Sequence, residues 1–186
     1  IDNVTMRGVQ TPIFLRLGAR MRGLAGLAIG RLRRVSISNV TVIDADPRYP
    51  STISGIPGHQ IEDIRISGLR HEMVGGLTPA DAVADPPELI NAYPENYMFG
   101  TLPAYGCYIR HVDGIVFDDV AVHYETTDTR PAFVLTDVSG ADFHHVRADK
   151  AHDVPTFVLD DVEDFTVSDS RPVEDVRLDR VGHRNL

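Results

Sequence analysis

The chain lacks several features that mark common classes of protein. It has one cysteine, Cys107, so it can form no internal disulfide, and the cysteine count leaves its compartment open. No apolar run approaches the ~20 residues that span a bilayer. The net charge of −9 offers no basic field for phosphate contacts. The sequence therefore predicts neither a membrane nor a nucleic-acid partner.

Sustained helical periodicity is also absent. Only residues 80–90 could hold a helical turn or two, and Pro86-Pro87 interrupts them because proline cannot continue a helix. Glycines are scattered over residues 23–30, but no Lys-Ser/Thr ending follows them, so this segment is interpreted as a loop and not as a phosphate site. What remains is a chain of short apolar segments.

Those segments repeat a nine-residue pattern with apolar residues at its first, fourth, sixth and ninth places. The seven copies begin at Ile1, Leu32, Ile61, Val112, Val138, Val162 and Val173, which are 31, 29, 51, 26, 24 and 11 residues apart. Self-similarity of this kind marks one structural unit that buries its apolar face by stacking on its neighbours.

The pattern indicates what each unit is. The fourth and sixth places are two residues apart, so both point inward from one short strand. The seventh and eighth places are polar or glycine in every copy, as in Ser38-Asn39 and His144-His145, which is typical of a turn. The sequence therefore predicts an all-β chain that winds as a parallel β-helix. An immunoglobulin-like sandwich is the rival fold, but it requires alternating strands with turn signals at every 8–12 residues or so.

A second recurring string predicts another strand in each coil. Its examples are Pro12-Ile13-Phe14-Leu15, Cys107-Tyr108-Ile109, Pro131-Ala132-Phe133-Val134-Leu135 and Pro155-Thr156-Phe157-Val158-Leu159. Proline is tolerated where it opens a strand. The gap of 51 residues between the third and fourth copies holds either an enlarged loop, at about residues 70–106, or a hidden coil. Residues 1–186 are predicted to form one partial β-helix domain.

The two ends of the chain differ. Ile1 already lies inside a copy of the pattern, so we expect a β-helix truncated at its N-terminal end, with further coils preceding Ile1. An uncapped N-terminal coil would expose apolar side chains and favour association with another chain. The polar residues 182–186 resemble a natural terminus.

Several strings resemble the C-terminal half of glycoside hydrolase family 28, the polygalacturonase family, in its bacterial form. They are Val4-Thr5-Met6, residues 12–18, 53–61 and 93–106, Tyr108-Ile109-Arg110-His111-Val112 and Arg130-Pro131-Ala132-Phe133. The resemblance implies a right-handed, single-stranded parallel β-helix of the pectin-lyase-like solenoid type. It also implies hydrolysis of α-glycosidic bonds in pectin, a polymer of galacturonate and rhamnose, with inversion, and a secreted or periplasmic location.

The catalytic signatures of that family are missing from this chain. No Asn-Thr-Asp, no paired aspartate after Gly or Gln, no Gly-His-Gly and no Arg-Ile-Lys occurs, and the family's order of motifs would place all four before Ile1. Inverting hydrolysis needs two carboxyl groups about 6.5–9.5 Å apart. Asp118-Asp119, Asp160-Asp161 and His144-His145 fall at turns or before copies of the pattern, so we assign none of them to catalysis or to a metal, and no cofactor is expected.

Four residues are candidates for contact with an acidic polysaccharide. Arg16 and Arg20 could bind uronate carboxylates, since guanidinium groups pair with carboxylates through two hydrogen bonds. Tyr97 and Tyr105 lie in the enlarged loop, where they could stack on sugar rings or pack against the sheet. Solvated or structural roles are the alternative for all four.

Two functional hypotheses remain open from the sequence. The chain is either the C-terminal part of a pectin hydrolase whose catalytic half lies elsewhere, or a noncatalytic β-helix module that binds carbohydrate or has a structural role. Both predict that the chain alone hydrolyses no polygalacturonate.

Overall fold

The computed structural model describes residues 1–23 and 26–186, which contain nine strands and one short 3-10 helix, Pro79–Asp81. The strands are β1 Asp2–Arg7, β2 Phe14–Arg16, β3 Arg33–Ala45, β4 Ser51–Ser54, β5 Ile61–Gly75, β6 Cys107–Thr126, β7 Phe133–Ala148, β8 Phe157–Ser168 and β9 Val176–Asn185. Leu24 and Ala25 lie outside the described residues, so the loop interpretation of residues 23–30 stays a prediction.

The strands form one mostly parallel sheet. Their order is β1-β3-β5-β6-β7-β8-β9, while β2 pairs with β4 and β4 pairs with β6. All of these pairings are parallel except that of β8 with β9, which is antiparallel. The prediction of an all-β chain is therefore confirmed. Among the described residues no helix is long and apolar enough to cross a membrane.

The long strands bend where the pattern predicts turns. The eighth place has a left-handed backbone in six copies, with φ between 49° and 63°: Gly8, Asn39, Gly68, Asp119, His145 and Asp169. Glycine has no Cβ to clash there, and Asn, Asp and His tolerate this conformation better than most residues. The residue type at the eighth place therefore favours a change of strand direction in these six copies.

The bends divide the paired segments into three rows. The first row contains β2, β4 and residues 107–110, 133–136 and 157–160. The middle row contains residues 35–38, 64–67, 115–118, 141–144 and 165–168. The third row contains residues 4–7, 40–42, 69–73, 120–122 and 146–148.

The middle row is the predicted stack of fourth and sixth places. Its two inward columns are Val35, Ile64, Ile115, Ala141 and Phe165, and Ile37, Ile66, Phe117, Phe143 and Val167. All but Val35, which is partly buried, lie in the core. The first row likewise confirms the predicted second strands and adds β4. This strand also follows a proline, Pro50, but three of its four residues are polar, so it lacks the apolar string of the others.

Two copies of the pattern pair differently from the prediction. In the first copy, Val4 and Met6 face Val40 and Val42, not the fourth and sixth places of the second copy. In the last copy, Leu178 faces Phe165 in an antiparallel register, so β9 does not continue the parallel stack.

The larger of two apolar clusters takes its residues from all three rows. The smaller one, between the enlarged loop and the first row, contains Phe99, Leu102, Ala104, Tyr108 and Val134. Phenylalanine rings from the first and middle rows meet inside the larger cluster; the ring centroids of Phe143 and Phe157 are 4.8 Å apart. Cys107 is buried in the larger cluster, and burial raises the pKa of its thiol. It therefore packs as a small apolar residue. The register of Ile61 with Val112 leaves residues 76–106 as one enlarged loop and excludes a hidden coil in this gap.

Candidate functional site

A cleft separates the enlarged loop from the outer face of the first row. Its volume is about 340 Å³. It is lined by Pro79, Ala82, Ala84, Asp85, Pro86, Glu88, Pro103, Tyr108, Arg110, Pro131, Val134, Thr136, Val158 and Asp160. Apolar walls with a few charged groups are typical of small-ligand sites.

Arg110 joins the loop to the sheet beneath the cleft. Its guanidinium is buried and donates from Nε to Ser54 Oγ (3.0 Å), from Nη1 to the Pro86 carbonyl (2.8 Å) and from Nη2 to the Pro87 carbonyl (2.9 Å). Nη1 also lies 3.2 Å from Glu88 Oε1. A buried cation needs such partners to offset its lost hydration. The Pro86-Pro87 pair, which lacks amide donors, therefore serves here as a pair of acceptors.

His111 lies at the bend that ends this part of β6, with φ of 52°. Its Nδ1 is 2.6 Å from Asp137 Oδ2, and its Nε2 is 3.0 Å from Glu88 Oε1. The segment that follows β4 packs closely against His111, since a Cβ at Gly55 would collide with the His111 carbonyl oxygen. His111 is thereby held between one carboxylate of the loop and one of the next strand.

Glu88 has one oxygen that this network does not use. Oε1 contacts both Arg110 and His111, whereas Oε2 is buried without a hydrogen-bond partner among the described residues. Buried polar atoms are nearly always satisfied by protein, water or ligand. Since Glu88 lines the cleft, a water molecule or ligand hydroxyl there would complete its hydrogen bonding.

Arg16, predicted to bind uronate, borders this network and is engaged by it. Its Nη1 donates to Ser54 Oγ (2.8 Å) and the Gly55 carbonyl (2.6 Å), and its Nη2 donates to the Glu88 carbonyl (2.6 Å). Burial, together with the positive charge of Arg110, lowers the pKa of Arg16 to about 10. The guanidinium of Arg16 thus holds backbone carbonyls of the loop and of the segment after β4, and it has few hydrogen-bond donors left for a ligand.

The other three predicted contacts differ in accessibility. Arg20 stacks over the Tyr93 ring, with its guanidinium carbon 4.4 Å from the centroid. Tyr97 is 58% exposed and can meet a ligand. Tyr105 is only 1% exposed and donates its hydroxyl to the Asp149 carbonyl at 2.6 Å. Its prediction as a sugar contact is corrected, because a ring buried in the core presents no face to a ligand.

The paired polar residues that were assigned to turns are ion-paired there. Asp118 Oδ1 lies 3.0 Å from His144 Nδ1, and Asp118 Oδ2 lies 2.7 Å from Arg65 Nη2. The hydrogen bond with His144 lowers the pKa of Asp118, and the same contact raises the pKa of His144. Asp160 lines the cleft but lies 2.9 Å from His183 Nδ1.

Within the described residues, one group of three carboxylates comes close together. Oxygens of Asp44, Glu72 and Glu125 lie within 4.8 Å of one another. Arg7 pairs with Asp44 at 2.8 Å, and a hydrogen bond with Asp44 raises the pKa of Glu125. Arg7 thus offsets part of the repulsion between these groups, and no feature of this partly exposed cluster calls for a metal ion.

The central residues of the cleft were not singled out as a site from the sequence. Arg110 and His111 belong to the most specific resembling string, but nothing marked them as partners of Glu88 or Asp137. The pairing joins residues separated by 22 to 26 positions. The only sequence signal was a charged pair, Arg110-His111, that directly follows an apolar strand.

Comparison with known proteins assigns no family. No family model matches the chain, and neither curated proteins nor solved structures give a match.

Proposed function

We propose that the chain is part of a right-handed parallel β-helix of the pectin-lyase-like type, in an enzyme of the glycoside hydrolase family 28 kind that acts on pectin outside the cell or in the periplasm. The observation that carries the proposal is the repeated parallel register of three rows that share the larger apolar cluster. Along the middle row, parallel partners are 29, 51, 26 and 24 residues apart, and the separation of 51 contains the enlarged loop. A chain that pairs repeatedly with itself in this way supports a solenoid. The choice of pectin as the substrate comes from the sequence strings that resemble glycoside hydrolase family 28.

In this proposal the chain contributes structure and polysaccharide contacts, and the catalytic carboxyls lie elsewhere. The cleft beside the first row would hold a sugar ring between its apolar walls, with Glu88 accepting a ligand hydroxyl. Arg20, which is partly buried beside the loop, and Tyr97, which is exposed on it, would contact a neighbouring uronate unit. No metal or cofactor is part of this proposal.

A noncatalytic carbohydrate-binding or structural module is the second candidate. One observation favours it: the guanidinium donors of Arg16 and Arg110 are directed to protein acceptors. These two cations then stabilise the loop and contribute little to ligand binding.

The first test is an assay of reducing ends released from polygalacturonate by the purified chain. We expect no release, because both aspartate pairs serve bends and ion pairs. Activity that is lost in Asp118→Ala/Asp119→Ala or Asp160→Ala/Asp161→Ala would contradict this assignment.

The second test measures binding of oligogalacturonate to the cleft by heteronuclear NMR. Tyr97→Ala and Arg20→Ala should each weaken binding, and Arg177→Ala, remote from the loop on β9, is the matched control. Unchanged chemical shifts at residues 85–88 and 108–111 during the titration would favour the structural module.

A further inference from the structure

Arginines recur at one outward position of the third row. In the strand register, Arg70 of β5 faces Ala121 of β6, Ala121 faces Arg147 of β7, and Arg147 forms a backbone bridge with Arg171. Neighbouring strands are about 4.8 Å apart, so Arg70 and Arg147 are roughly 10 Å apart at their Cα atoms. Three of the four positions in this series carry a guanidinium group; we call Arg70, Arg147 and Arg171 the arginine row.

This arginine row borders a shallow depression of about 280 Å³. It is lined by Arg70, Asp119, Val120, Ala121, His123, His145 and Arg147. Ala121 is 7% exposed but does not belong to the larger apolar cluster. In the strand register its small side chain lies between Arg70 and Arg147. The alanine leaves room for a ligand group between two cations.

The charges of the row are only partly neutralised. Arg70 donates to the Asp119 carboxylate and carbonyl, both at 3.0 Å. Asp119 also lies 3.2 Å from His145, and Asp149 lies 3.0 Å from His123. The side chains of Arg147 and Arg171 make no hydrogen bond or salt bridge with residues 1–23 or 26–186.

Elsewhere on the sheet, some directly opposed outward residues carry opposite charge, and one pair, Glu62 and Asp113, carries like charge. Asp118 faces His144, and Glu163 faces Arg180 with 3.3 Å between Glu163 Oε1 and Arg180 Nε. Like charges placed directly opposite each other destabilise a sheet. The Arg147–Arg171 pair therefore has an electrostatic cost in the free chain that a bound anion would offset.

We infer that the arginine row binds an anionic polymer that carries carboxylate groups at short intervals. Carboxylates match the planar guanidinium fork, and the distance from Arg147 to Arg70 requires more than one anionic group. No phenylalanine, tyrosine or tryptophan lines the depression, so it lacks the large stacking surface of single-strand nucleic-acid sites. The row lies on a different face from the cleft, and the inference does not depend on the proposed function.

Titration of the chain with oligogalacturonate tests the inference, with fully methyl-esterified oligogalacturonate as the neutral probe. Arg147→Gln/Arg171→Gln should weaken binding about tenfold, and binding should fall as salt is raised, because exposed charges are screened. The matched control is Arg177→Gln/Arg180→Gln, which changes net charge equally on β9 and should bind like the parent chain. Backbone shifts at Arg70 and Ala121 report binding at this face, whereas shifts at residues 85–88 report the cleft.

Without ligand, Arg147→Gln/Arg171→Gln should raise the thermal midpoint, because it removes like-charge repulsion, while the control variant should not raise it. Equal binding by the double variant, equal binding of the esterified probe, or a lower midpoint would overturn the inference. So would inorganic sulfate that binds as tightly as the oligomer, which indicates a single-ion site, or tighter binding of single-stranded DNA.

Discussion

At the scale of single residues, His71 is the most unusual group in the core. It takes the inward position that Val42 and Val122 occupy on the flanking strands. It is 1% exposed, and neither ring nitrogen has a hydrogen-bond partner among the described residues. Burial lowers the pKa of His71 to about 4. The folded chain therefore holds this ring in its neutral form.

We predict that this histidine makes stability depend on pH. Because the folded pKa is below the unfolded value, the unfolded chain binds more protons between pH 6.5 and 4, and stability falls as pH drops through this window. The loss attributable to His71 is about 3 kcal/mol. His71→Leu should remove it in urea unfolding at pH 7.5 and 4.5, whereas exposed His145→Leu should not. An identical pH dependence in His71→Leu would contradict the prediction.

Two Asp-x-Arg sequences form the same local structure in different surroundings. In Asp46-Pro47-Arg48 and Asp128-Thr129-Arg130, the arginine donates from its backbone N–H and from Nε and Nη2 to the aspartate. In the first pair Arg48 is 52% exposed and Asp46 is 19% exposed, whereas both side chains of the second pair are 0% exposed. Arg130 also donates to the Leu102 and Pro47 carbonyls, both at 2.8 Å, and so joins the enlarged loop to the turn after β3.

We predict that an aspartate-to-asparagine change lowers the free energy of unfolding far more in the buried pair than in the other, because of the difference in burial. Asp128→Asn should lower the free energy of unfolding by about 3–5 kcal/mol, because it leaves the Arg130 charge buried without its counter-ion. Asp46→Asn should have a much smaller effect, since water solvates Arg48. Denaturant unfolding of the two variants measures both. Equal losses would mean that the local turn, and not burial, governs stability.

At the scale of elements, the bends explain why the first copy of the pattern has a different partner. Left-handed residues are five positions apart between the third and eighth places, as in Arg34 and Asn39. The same separation recurs between Asn39 and Asp44. Because the bends recur every five residues here, a strand can shift by five residues against its neighbour and still point the same side chains inward. Val4 could therefore face either Val35 or Val40, and it faces Val40.

The phenylalanine cluster is the main packing unit that links the first row to the middle row. The ring of Phe143 is 4.8 Å from that of Phe117, 5.2 Å from that of Phe133 and 4.8 Å from that of Phe157. Stacked and edge-to-face pairs of this kind contribute beyond simple burial.

Phe143→Ala should therefore destabilise the chain by about 3–5 kcal/mol through lost burial and a cavity. Tyr97→Ala, at an exposed ring of the loop, is the control and should change the free energy of unfolding little. Both are measured by denaturant unfolding. A small effect of Phe143→Ala would show that the core closes around the missing ring.

At the scale of the whole molecule, the two sides of the sheet end differently. β9 pairs along β8 at one edge, whereas β1 is the last strand at the other. Beside β1 is a mostly apolar recess of about 190 Å³, lined by Ile1, Val4, Met6, Pro12, Ile13, Phe14, Leu15, Ile37 and Val40. Ile1 is 75% exposed. An unpaired edge next to exposed apolar groups favours pairing with another chain.

We predict that this chain associates through the β1 edge in a concentration-dependent way. Size-exclusion chromatography with light scattering should detect the associated species. Ile1→Lys/Thr5→Lys should shift it toward monomer, because lysine on an edge strand opposes pairing. Thr126→Lys/Thr127→Lys adds the same charge at the end of β6 and should leave association unchanged. A monomer at all concentrations would contradict the prediction.

The sequence by itself determined the class of the fold, the inward residues and the positions of the bends. These features depend on local chemistry: alternation places Ile115 and Phe117 on one side of a strand, and Asn39 or His145 tolerates a left-handed backbone. Only the tertiary structure decided the partner of Val4, the antiparallel direction of β9 and the burial of Tyr105. Inward alternation is the same for parallel and antiparallel neighbours, so a pattern cannot distinguish their direction.

The candidate site was decided almost wholly by tertiary structure. Arg110, Glu88 and His111 meet because the enlarged loop folds back over the first row, and Arg16 reaches the Glu88 carbonyl from 72 positions away. The sequence identified Arg16 as a candidate from its charge alone. Its charge cannot reveal that backbone carbonyls accept its hydrogen bonds, because those acceptors belong to every residue and acquire a position only when the chain is folded.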